Sequence, residues 1–183
     1  MKHLYWLAAA LFTAIAAHAA FILALLSFSL DRTISRLSAD AGSNAFFILP
    51  QDEQTRLLPA YPRESIVGIC AFDVSKTQVS LSANFPNGFW TLTIYSDQGD
   101  VIYSVNNTQA GTNSFTVALS KAPDFLEMLQ QATQKEPIDT DTGWTVSSPA
   151  ARGIAVLWYP VAESAQRPGL MRELSKSTCQ PAA

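Results

Sequence analysis

Histidine is nearly absent from this sequence, and its two copies, His3 and His18, both fall within the first 18 residues. The rest of the chain therefore has no imidazole for a Ser-His-Asp or Cys-His nucleophile, and no histidine to hold zinc. It also lacks a GxSxG elbow, a phosphate-binding glycine loop and the GxGxxG pattern. These absences exclude the best-known hydrolase and nucleotide-binding mechanisms, and we expect no cofactor.

Positive charge is also scarce. The chain has 12 Lys and Arg residues against 15 Asp and Glu, which gives a formal net charge of -3 and an isoelectric point near 5.3. The cations are scattered singly along the sequence rather than gathered in one stripe. Because binding to nucleic acid depends on a dense basic surface, we predict no nucleic-acid partner.

Metal-ligand clusters are missing as well. Residues 139–143, with the sequence DTDTG, begin like a calcium-binding loop, with oxygen ligands at alternate positions. The later ligands of such a loop, including its final glutamate, do not follow. We therefore interpret this segment as a solvated connection ahead of a strand, and we predict no metal site.

Charged side chains are absent from residues 4–30, which are almost all apolar or small. As a helix rising ~1.5 Å per residue, this stretch would be roughly 40 Å long, enough to cross a bilayer. A cleaved signal peptide is the alternative, because Lys2 precedes the stretch and Ala17-His18-Ala19 has the small-x-small form of a cleavage site. Cleavage would leave an apolar amino terminus in water. The sequence thus favours an uncleaved anchor, residues 1–30, that contacts the lipid bilayer through residues 4–30.

His18 lies in the middle of this apolar stretch. An ionisable side chain in the bilayer is costly and usually faces a partner. On a helix it would lie near Ala10, Ala14 and Ala17 on one side, small residues of the kind that let transmembrane helices approach closely. His18 is therefore a candidate contact between membrane helices, although a neutral histidine tolerated in lipid also fits the sequence.

The remaining residues predict one domain of α+β class, rich in β structure. Residues 31–44 form a juxtamembrane linker, a short helix that fades into a loop, and residues 45–183 form the domain. We expect a small antiparallel β-sheet or sandwich of about seven strands with one or two covering helices. Strands are predicted at 45–49, 66–74, 78–84, 114–119, 144–146, 154–159 and on both sides of 96–100; helices at 122–134 and 167–177; and an irregular connection at 51–63.

The sequence SDQGD, residues 96–100, interrupts two stretches that alternate with a period of two. Ser and Asp favour the first positions of a turn, and Gly99 supplies the positive φ that a short hairpin needs. We interpret the segment as a turn, with Asp97 and Asp100 solvated and ionised at its exposed tip. A carboxylate pair holding a cation would need further oxygen ligands that the sequence does not identify.

Only two cysteines occur, Cys70 in a predicted strand and Cys179 near the end. A bridge between them would close a loop of about 109 residues and would stabilise the fold by about 4 to 5 kcal/mol in the chain-entropy model. A bridge would also place the domain outside the cytoplasm. Alternatively, Cys70 is a small buried hydrophobic residue and Cys179 a free thiol on a frayed tail.

The stretch CAFDVSKTQVSLSANFPNGFWTLTIYSDQGDVIYSVNN, with LPQDEQT before it and a cysteine near the end, resembles a bacterial family known as the domain of unknown function 1254, in its short membrane-anchored form. That family combines an N-terminal transmembrane helix, a cysteine-bearing strand, a Phe-Trp strand and a Tyr-Ser-x-Asn turn. The matching positions are Cys70, Phe72, Asp73, Phe89, Trp90, Asp100, Tyr103, Ser104, Asn106 and Cys179. Asn107 departs from the family pattern, which has an acidic residue followed by Arg.

The resemblance implies a single-pass inner-membrane protein of a Gram-negative bacterium with a periplasmic C-terminal domain, and it implies no activity. Two functions remain open. The first is a binding or interaction module in the cell envelope, tethered so that it meets another membrane or envelope protein. The second is a hydrolase-like envelope enzyme with carboxylate chemistry, acting alone or with a companion protein. The missing histidines and motifs favour the first.

Overall fold

A computed structural model describes residues 2–123 and 143–182, and nine strands among these residues form two sheets. The first sheet has the order β1 (Ala45–Ile48), β2 (Ser65–Asp73), β8 (Arg152–Pro160), β4 (Thr91–Ser96), β5 (Val101–Asn106). The second has the order β7 (Gly143–Ser148), β6 (Ser114–Lys121), β3 (Val79–Asn84), β9 (Thr178–Pro181). The α+β prediction is confirmed.

The space between the sheets holds the larger hydrophobic core, which we call the inter-sheet core. Strands β3, β4 and β6 place alternate residues into it, as their period-two sequences predict. Trp90 stacks on Phe85 with ring centroids 4.2 Å apart, and Phe115 packs against both. The core also contains Ile66, Phe72, Leu81, Leu92, Ile94, Val117, Leu119 and Leu157.

A second hydrophobic cluster, the outer core, covers the opposite face of the first sheet. It consists of Ile34, Leu37, Leu49, Val67, Ile69, Ala71, Ile154 and Val156. Strand β2 belongs to both cores, because its alternate residues point to opposite faces of the sheet. This double burial explains why its sequence, SIVGICAFD, is almost continuously apolar.

The described residues also form four α-helices, α1 (Lys2–Ala41), α2 (Gln51–Leu57), α3 (Asn107–Ala110) and α4 (Arg167–Leu174). A short 3-10 helix, Ser164–Gln166, precedes α4. The predicted anchor and juxtamembrane helix form one helix of 40 residues rather than two elements. The irregular connection predicted at 51–63 was wrong in its first half, where α2 lies. Its fully buried Gln54 donates to the carbonyl of Pro62 and the hydroxyl of Ser65, and so attaches α2 to the loop that follows it.

Three further expectations differ from the structure. Nine strands are present where about seven were expected, and β6 and β7 pair in parallel, so the architecture is not purely antiparallel. Parallel neighbours require a long crossover, here residues 122–142.

The helix predicted at 122–134 lies outside the described residues, apart from Ala122 and Pro123. The helix predicted at 167–177 ends at Leu174 and is followed by the unpredicted strand β9, which pairs with β3.

The turn predicted at 96–100 is confirmed. Gly99 has φ of 94°, and the hydroxyl of Ser96 accepts the backbone N–H groups of Gln98 and Asp100. Asp100 is exposed as expected, but Asp97 is partly buried: its Oδ1 is shielded from solvent, and its backbone N–H donates to the carbonyl of Arg152 on β8.

A β-bulge interrupts the pairing of β4 with β5. The register shifts between Ile94 and Tyr95, so that Ile94 pairs with Tyr103 whereas Tyr95 pairs with Val101. Strict alternation predicted that Val101 and Tyr103 share one face of the sheet. Because of the bulge they do not, and Val101 is 59% exposed.

Candidate functional site

Cys70 and Cys179 form a disulfide across a sequence separation of 109 residues. Cys70 lies in β2 of the first sheet and Cys179 in β9 of the second, so the bond joins the two sheets covalently. The bridge predicted from the cysteine count is confirmed, and the alternative of a free thiol on a frayed tail is wrong.

Helix α1 begins with an apolar stretch that is long enough to cross a membrane, Tyr5–Ile22, by length and composition. None of the side chains that the structure describes in this stretch is buried against the domain, and Tyr5, Trp6 and Phe12 are 71%, 70% and 75% exposed. The structure thus has an apolar N-terminal helix joined to a disulfide-bonded domain. This combination is compatible with a single-pass membrane protein, and also with a secreted protein that carries a signal sequence.

The far end of the same helix is part of the domain. Ile34 and Leu37 are only 2% and 3% exposed, and both pack into the outer core. Residues three apart lie on the same side of a helix, which is why this pair can bury together. No loop separates the apolar stretch from these buried residues, so the position of the helix axis relative to the sheet is set by packing.

Helices α1 and α2 together line a cavity of about 300 Å³, which we call the arginine cavity. Its walls are Arg32, Thr33, Arg36, Arg56 and Leu57. Arg32 and Arg36 share one face of α1 because they are four residues apart. Arg56 comes from the helix that the sequence interpretation missed, and no local signal connects it with the other two arginines.

His18 is exposed on α1, one turn beyond Ala14. Near it, small side chains form a shallow groove of about 550 Å³, lined by Trp6, Ala9, Ala10, Thr13, Ala14 and Ala17. The groove supplies the small-residue face that was expected at Ala10, Ala14 and Ala17. The contact between His18 and a second membrane helix stays a prediction.

Asp73, the first acidic residue of the family resemblance, ends strand β2. Its backbone N–H donates to the Asn44 side chain at 2.8 Å, and its carboxylate accepts the backbone N–H of Ser75 at 2.9 Å. Hydrogen bonds from the Ser75 side chain and backbone lower the pKa of Asp73, helped by the charges of Arg152 and Lys76. Such a carboxylate stays ionised at neutral pH, which suits structural hydrogen bonding and not proton donation.

Two aromatic members of the motif belong to the inter-sheet core. Phe72 and Trp90 are 1% and 0% exposed, and the indole N–H of Trp90 donates to the Asn113 side chain at 2.9 Å. Phe89, by contrast, is 50% exposed and meets the edge of Trp158 at a centroid distance of 6.0 Å. Phe89 and Trp90 are therefore adjacent in the sequence but differ in role, because Trp90 lies in the core and Phe89 at the surface.

The Tyr-Ser-x-Asn part of the motif ends strand β5. Tyr103 packs partly buried against the inter-sheet core, and the hydroxyl of Ser104 lies 3.2 Å from that of Thr93 on the neighbouring strand. These contacts fix β5 to the sheet and present no pair of reactive groups.

Asn106 begins the short helix α3. Its side-chain oxygen accepts the backbone N–H groups of Thr108 and Gln109, both at 3.0 Å, and the Gln109 side chain accepts the Asn106 N–H at 3.1 Å. This reciprocal arrangement is a capping box. Asn107, where the chain departs from the family pattern, donates its backbone N–H to the carbonyl of Trp90 at 3.3 Å. The motif residues thus have separate structural roles and do not converge on one site.

Two carboxylates close together in a cavity would favour the carboxylate-based enzyme. The cavities lined by described residues include four of note: the arginine cavity, the groove on α1, an apolar groove of about 320 Å³ beside Phe115 and Trp144, and a smaller one of about 170 Å³ that contains Glu64 and Arg167. None of these four is lined by two carboxylates.

Metal ligands are likewise dispersed in the part of the chain that the structure covers. Within 2–123 and 143–182, three or more His, Cys, Asp or Glu side chains do not come together as a metal-binding group. Most of the calcium-like segment 139–143 lies outside these residues.

Comparison with known proteins gives similarity of fold only. No protein-family model matches the chain, and no curated protein matches it. Among solved structures, the VPA0106 protein from Vibrio parahaemolyticus aligns over 87% of this chain with a TM-score of 0.59 and 9% sequence identity. An uncharacterised protein from Burkholderia cenocepacia aligns over 85% with a TM-score of 0.49 and 10% identity. The chain spans only 36% and 40% of the lengths of these two proteins.

Proposed function

We propose that the chain is a single-pass membrane protein whose β sandwich serves as a binding or interaction module on the periplasmic side of a bacterial inner membrane. The observation that carries this proposal is the continuity of α1. One helix contains both the apolar stretch Tyr5–Ile22 and the buried residues Ile34 and Leu37. A domain attached in this way is held close to the bilayer in a fixed orientation, which favours encounters with other proteins of the same membrane.

The disulfide supports the periplasmic location, because such bonds form and persist mainly in oxidising compartments. Membership of the domain of unknown function 1254 is part of this proposal and rests on the sequence resemblance alone. The partner we propose is another membrane or envelope protein. The carboxylate enzyme is not proposed, since none of the four described cavities brings two carboxylates together.

The first test is the intact mass of protein extracted from alkali-washed membranes and alkylated without reductant. We expect the full-length chain in the membrane fraction with neither cysteine alkylated. Loss of about 19 residues would indicate a cleaved signal peptide instead of an anchor. Two alkylated thiols would place the domain in the cytoplasm and overturn the periplasmic assignment.

A second test addresses the partner. A photoreactive residue at Phe89, which is 50% exposed, should form a discrete adduct with an envelope protein when membranes are irradiated. The same residue at Val101, which is 59% exposed at the other end of the hairpin, is the matched control for random collision. Identical adduct patterns at both positions, or none at either, would contradict an interaction surface around Phe89.

A further inference from the structure

The arginine cavity concentrates positive charge in a chain that is otherwise acidic. Arg32 and Arg36 of α1 and Arg56 of α2 all line it. The sequence also places Asp31 directly before Arg32 and Asp52 on α2, and the ion pair at the cavity joins Glu53 to Arg56 at 4.0 Å, with the two side chains 38% and 68% exposed. A long, solvated ion pair of this kind neutralises little of the charge. The three guanidinium groups that line the cavity are the groups we expect an anion to contact.

Guanidinium groups are well suited to phosphate in particular. Each presents several N–H donors in a planar fork that can pair with two phosphate oxygens at once. Leu57 supplies an apolar wall beside the three arginines and is itself packed against the outer core. This packing sets the position of Arg56 through the domain, and α1 sets the other two. The ligand that fits best is a phosphate with an apolar group attached.

The position of the cavity along α1 identifies the source of that phosphate. The uncharged stretch of the helix ends at residue 30. At ~1.5 Å per residue, Arg32 and Arg36 lie about 3 Å and about 9 Å beyond that end. The headgroup layer on each side of a bilayer is roughly 5–8 Å thick. If α1 spans the membrane, the arginine cavity is level with the phosphates of the lipids around it.

We propose that the arginine cavity binds the phosphate of an anionic phospholipid in the membrane that α1 spans. This inference rests on the proposed function, because it needs the anchor to bring the cavity to the headgroups. It goes further in naming a ligand class and a site composed of both the anchor helix and the folded domain. Lipid bound there would fix the rotation of the sandwich about α1.

The test uses the full chain in non-ionic detergent and native mass spectrometry with added phosphatidylglycerol or phosphatidylcholine. We expect one phosphatidylglycerol to be retained at least tenfold more tightly than phosphatidylcholine. The variant Arg32→Gln/Arg36→Gln/Arg56→Gln should lose that preference at least fivefold. The control Lys76→Gln/Lys121→Gln/Arg172→Gln removes the same charge from three exposed positions on other elements and should bind like wild type. Equal binding by the arginine variant and wild type would overturn the proposal.

The single variant Arg56→Gln distinguishes a built site from general attraction between α1 and the membrane. If both helices form the site, this variant should lose at least threefold of the preference for phosphatidylglycerol over phosphatidylcholine. Attraction by the juxtamembrane arginines alone predicts no change, and that result would overturn the proposal. Glycerol phosphate is the soluble competitor. If millimolar glycerol phosphate displaces the lipid, the cavity is a site for free phosphate compounds and the lipid assignment is wrong.

Flotation of the same proteins with vesicles after alkaline washing separates this inference from the proposed function. Wild type and all variants should float if α1 is an anchor. If wild type does not float, the anchor and the lipid site both fail. If every protein floats but the arginine variant keeps its phosphatidylglycerol preference, only the lipid site fails.

Discussion

The two cores of this domain are closed in different ways. The inter-sheet core lies between two sheets that a disulfide joins, and helix α4 adds the buried Leu174 to it. The outer core is covered by α2 and by the end of α1, which continues into the apolar N-terminal stretch. The first core therefore determines whether the domain folds. The second determines how the domain is attached to what precedes it, and mutations should separate the two roles.

The largest effect should follow loss of the disulfide. In Cys70→Ala/Cys179→Ala the unfolded chain regains the freedom of a loop of 109 residues. We expect the free energy of unfolding to fall by about 4 to 5 kcal/mol, measured by urea denaturation without reductant. Wild type treated with reductant is the control and should behave like the variant. A change below about 1 kcal/mol would mean that the bond does not stabilise the inter-sheet core.

Trp90→Ala should have the next largest effect, because it empties the centre of the same core. Trp90 is fully buried, stacks on Phe85 and is hydrogen-bonded to Asn113. Removing a buried aromatic side chain costs about 3–5 kcal/mol of unfolding free energy. Its neighbour Phe89, half exposed, is the matched control, and Phe89→Ala should cost about 1 kcal/mol or less. If both variants lost a similar amount of unfolding free energy, the assignment of Trp90 to the core and Phe89 to the surface would be wrong.

Leu37→Ala should act on the outer core alone. We expect it to lower local stability by about 2–4 kcal/mol and to speed hydrogen exchange in residues 32–41. Strands β3 and β6 of the second sheet should keep their protection. Ile15→Ala, on the exposed part of the same helix, should leave exchange in the domain unchanged. If protection in β3 and β6 falls as far as in α1, the two cores are one cooperative unit and the comparison fails.

Asn106→Ala tests a motif residue that we assign to helix capping. The variant loses the two hydrogen bonds that the Asn106 side chain accepts and should be destabilised by about 1 kcal/mol in thermal unfolding. Asn106→Asp keeps an acceptor at the same place and should retain most of that stability. Equal destabilisation by both substitutions would show that the amide group has another role.

The smallest effect should be seen at Asp73, through its pH dependence. Its pKa is lowered from the ordinary 3.8 in the folded protein. The unfolded chain therefore takes up the proton first as the pH falls, so the stabilisation is fully present above the unfolded pKa and is lost as the pH falls through the lower folded pKa. Asp73→Asn should be less stable than wild type by under about 1 kcal/mol at pH 6, because the carboxylate is largely solvated. In pH-dependent urea unfolding, the difference should disappear once the pH is below the lowered, folded-state pKa of Asp73.

The elements that could be predicted from the sequence are those whose conformation is determined by residues close together in the chain. The turn at Ser96 to Asp100 was predictable because Gly99 and its neighbours determine it themselves. Strand β2 was predictable from its apolar run. Helix α2 was missed because its sequence, QDEQTRL, is polar, with acidic residues in the first turn and Arg56 in the last as its main helical signal.

Long-range effects account for the other differences. Strand β9 exists because β3 offers a partner and Cys179 reaches Cys70, and neither fact is visible in TCQP. The arginine cavity joins Arg32 and Arg36 to Arg56, whose proximity exists only after the outer core has formed. The family motif identified residues in structural roles, such as Trp90 and Asn106, but it did not locate a site.

The disulfide also determines how the molecule would respond to mechanical load. If a load pulls on the chain at or beyond Cys179 while α1 is held, tension enters the domain at residue 45 and cannot extend the chain between Cys70 and Cys179 beyond the length of their bond. Only the residues ahead of Cys70 can unravel, and about 25 residues reach at most ~90 Å when fully extended. The strands that surround Trp90 lie within the shielded loop. The sandwich would thus give way on the side of α1, as a tether of limited length, while the strands between Cys70 and Cys179 stay linked.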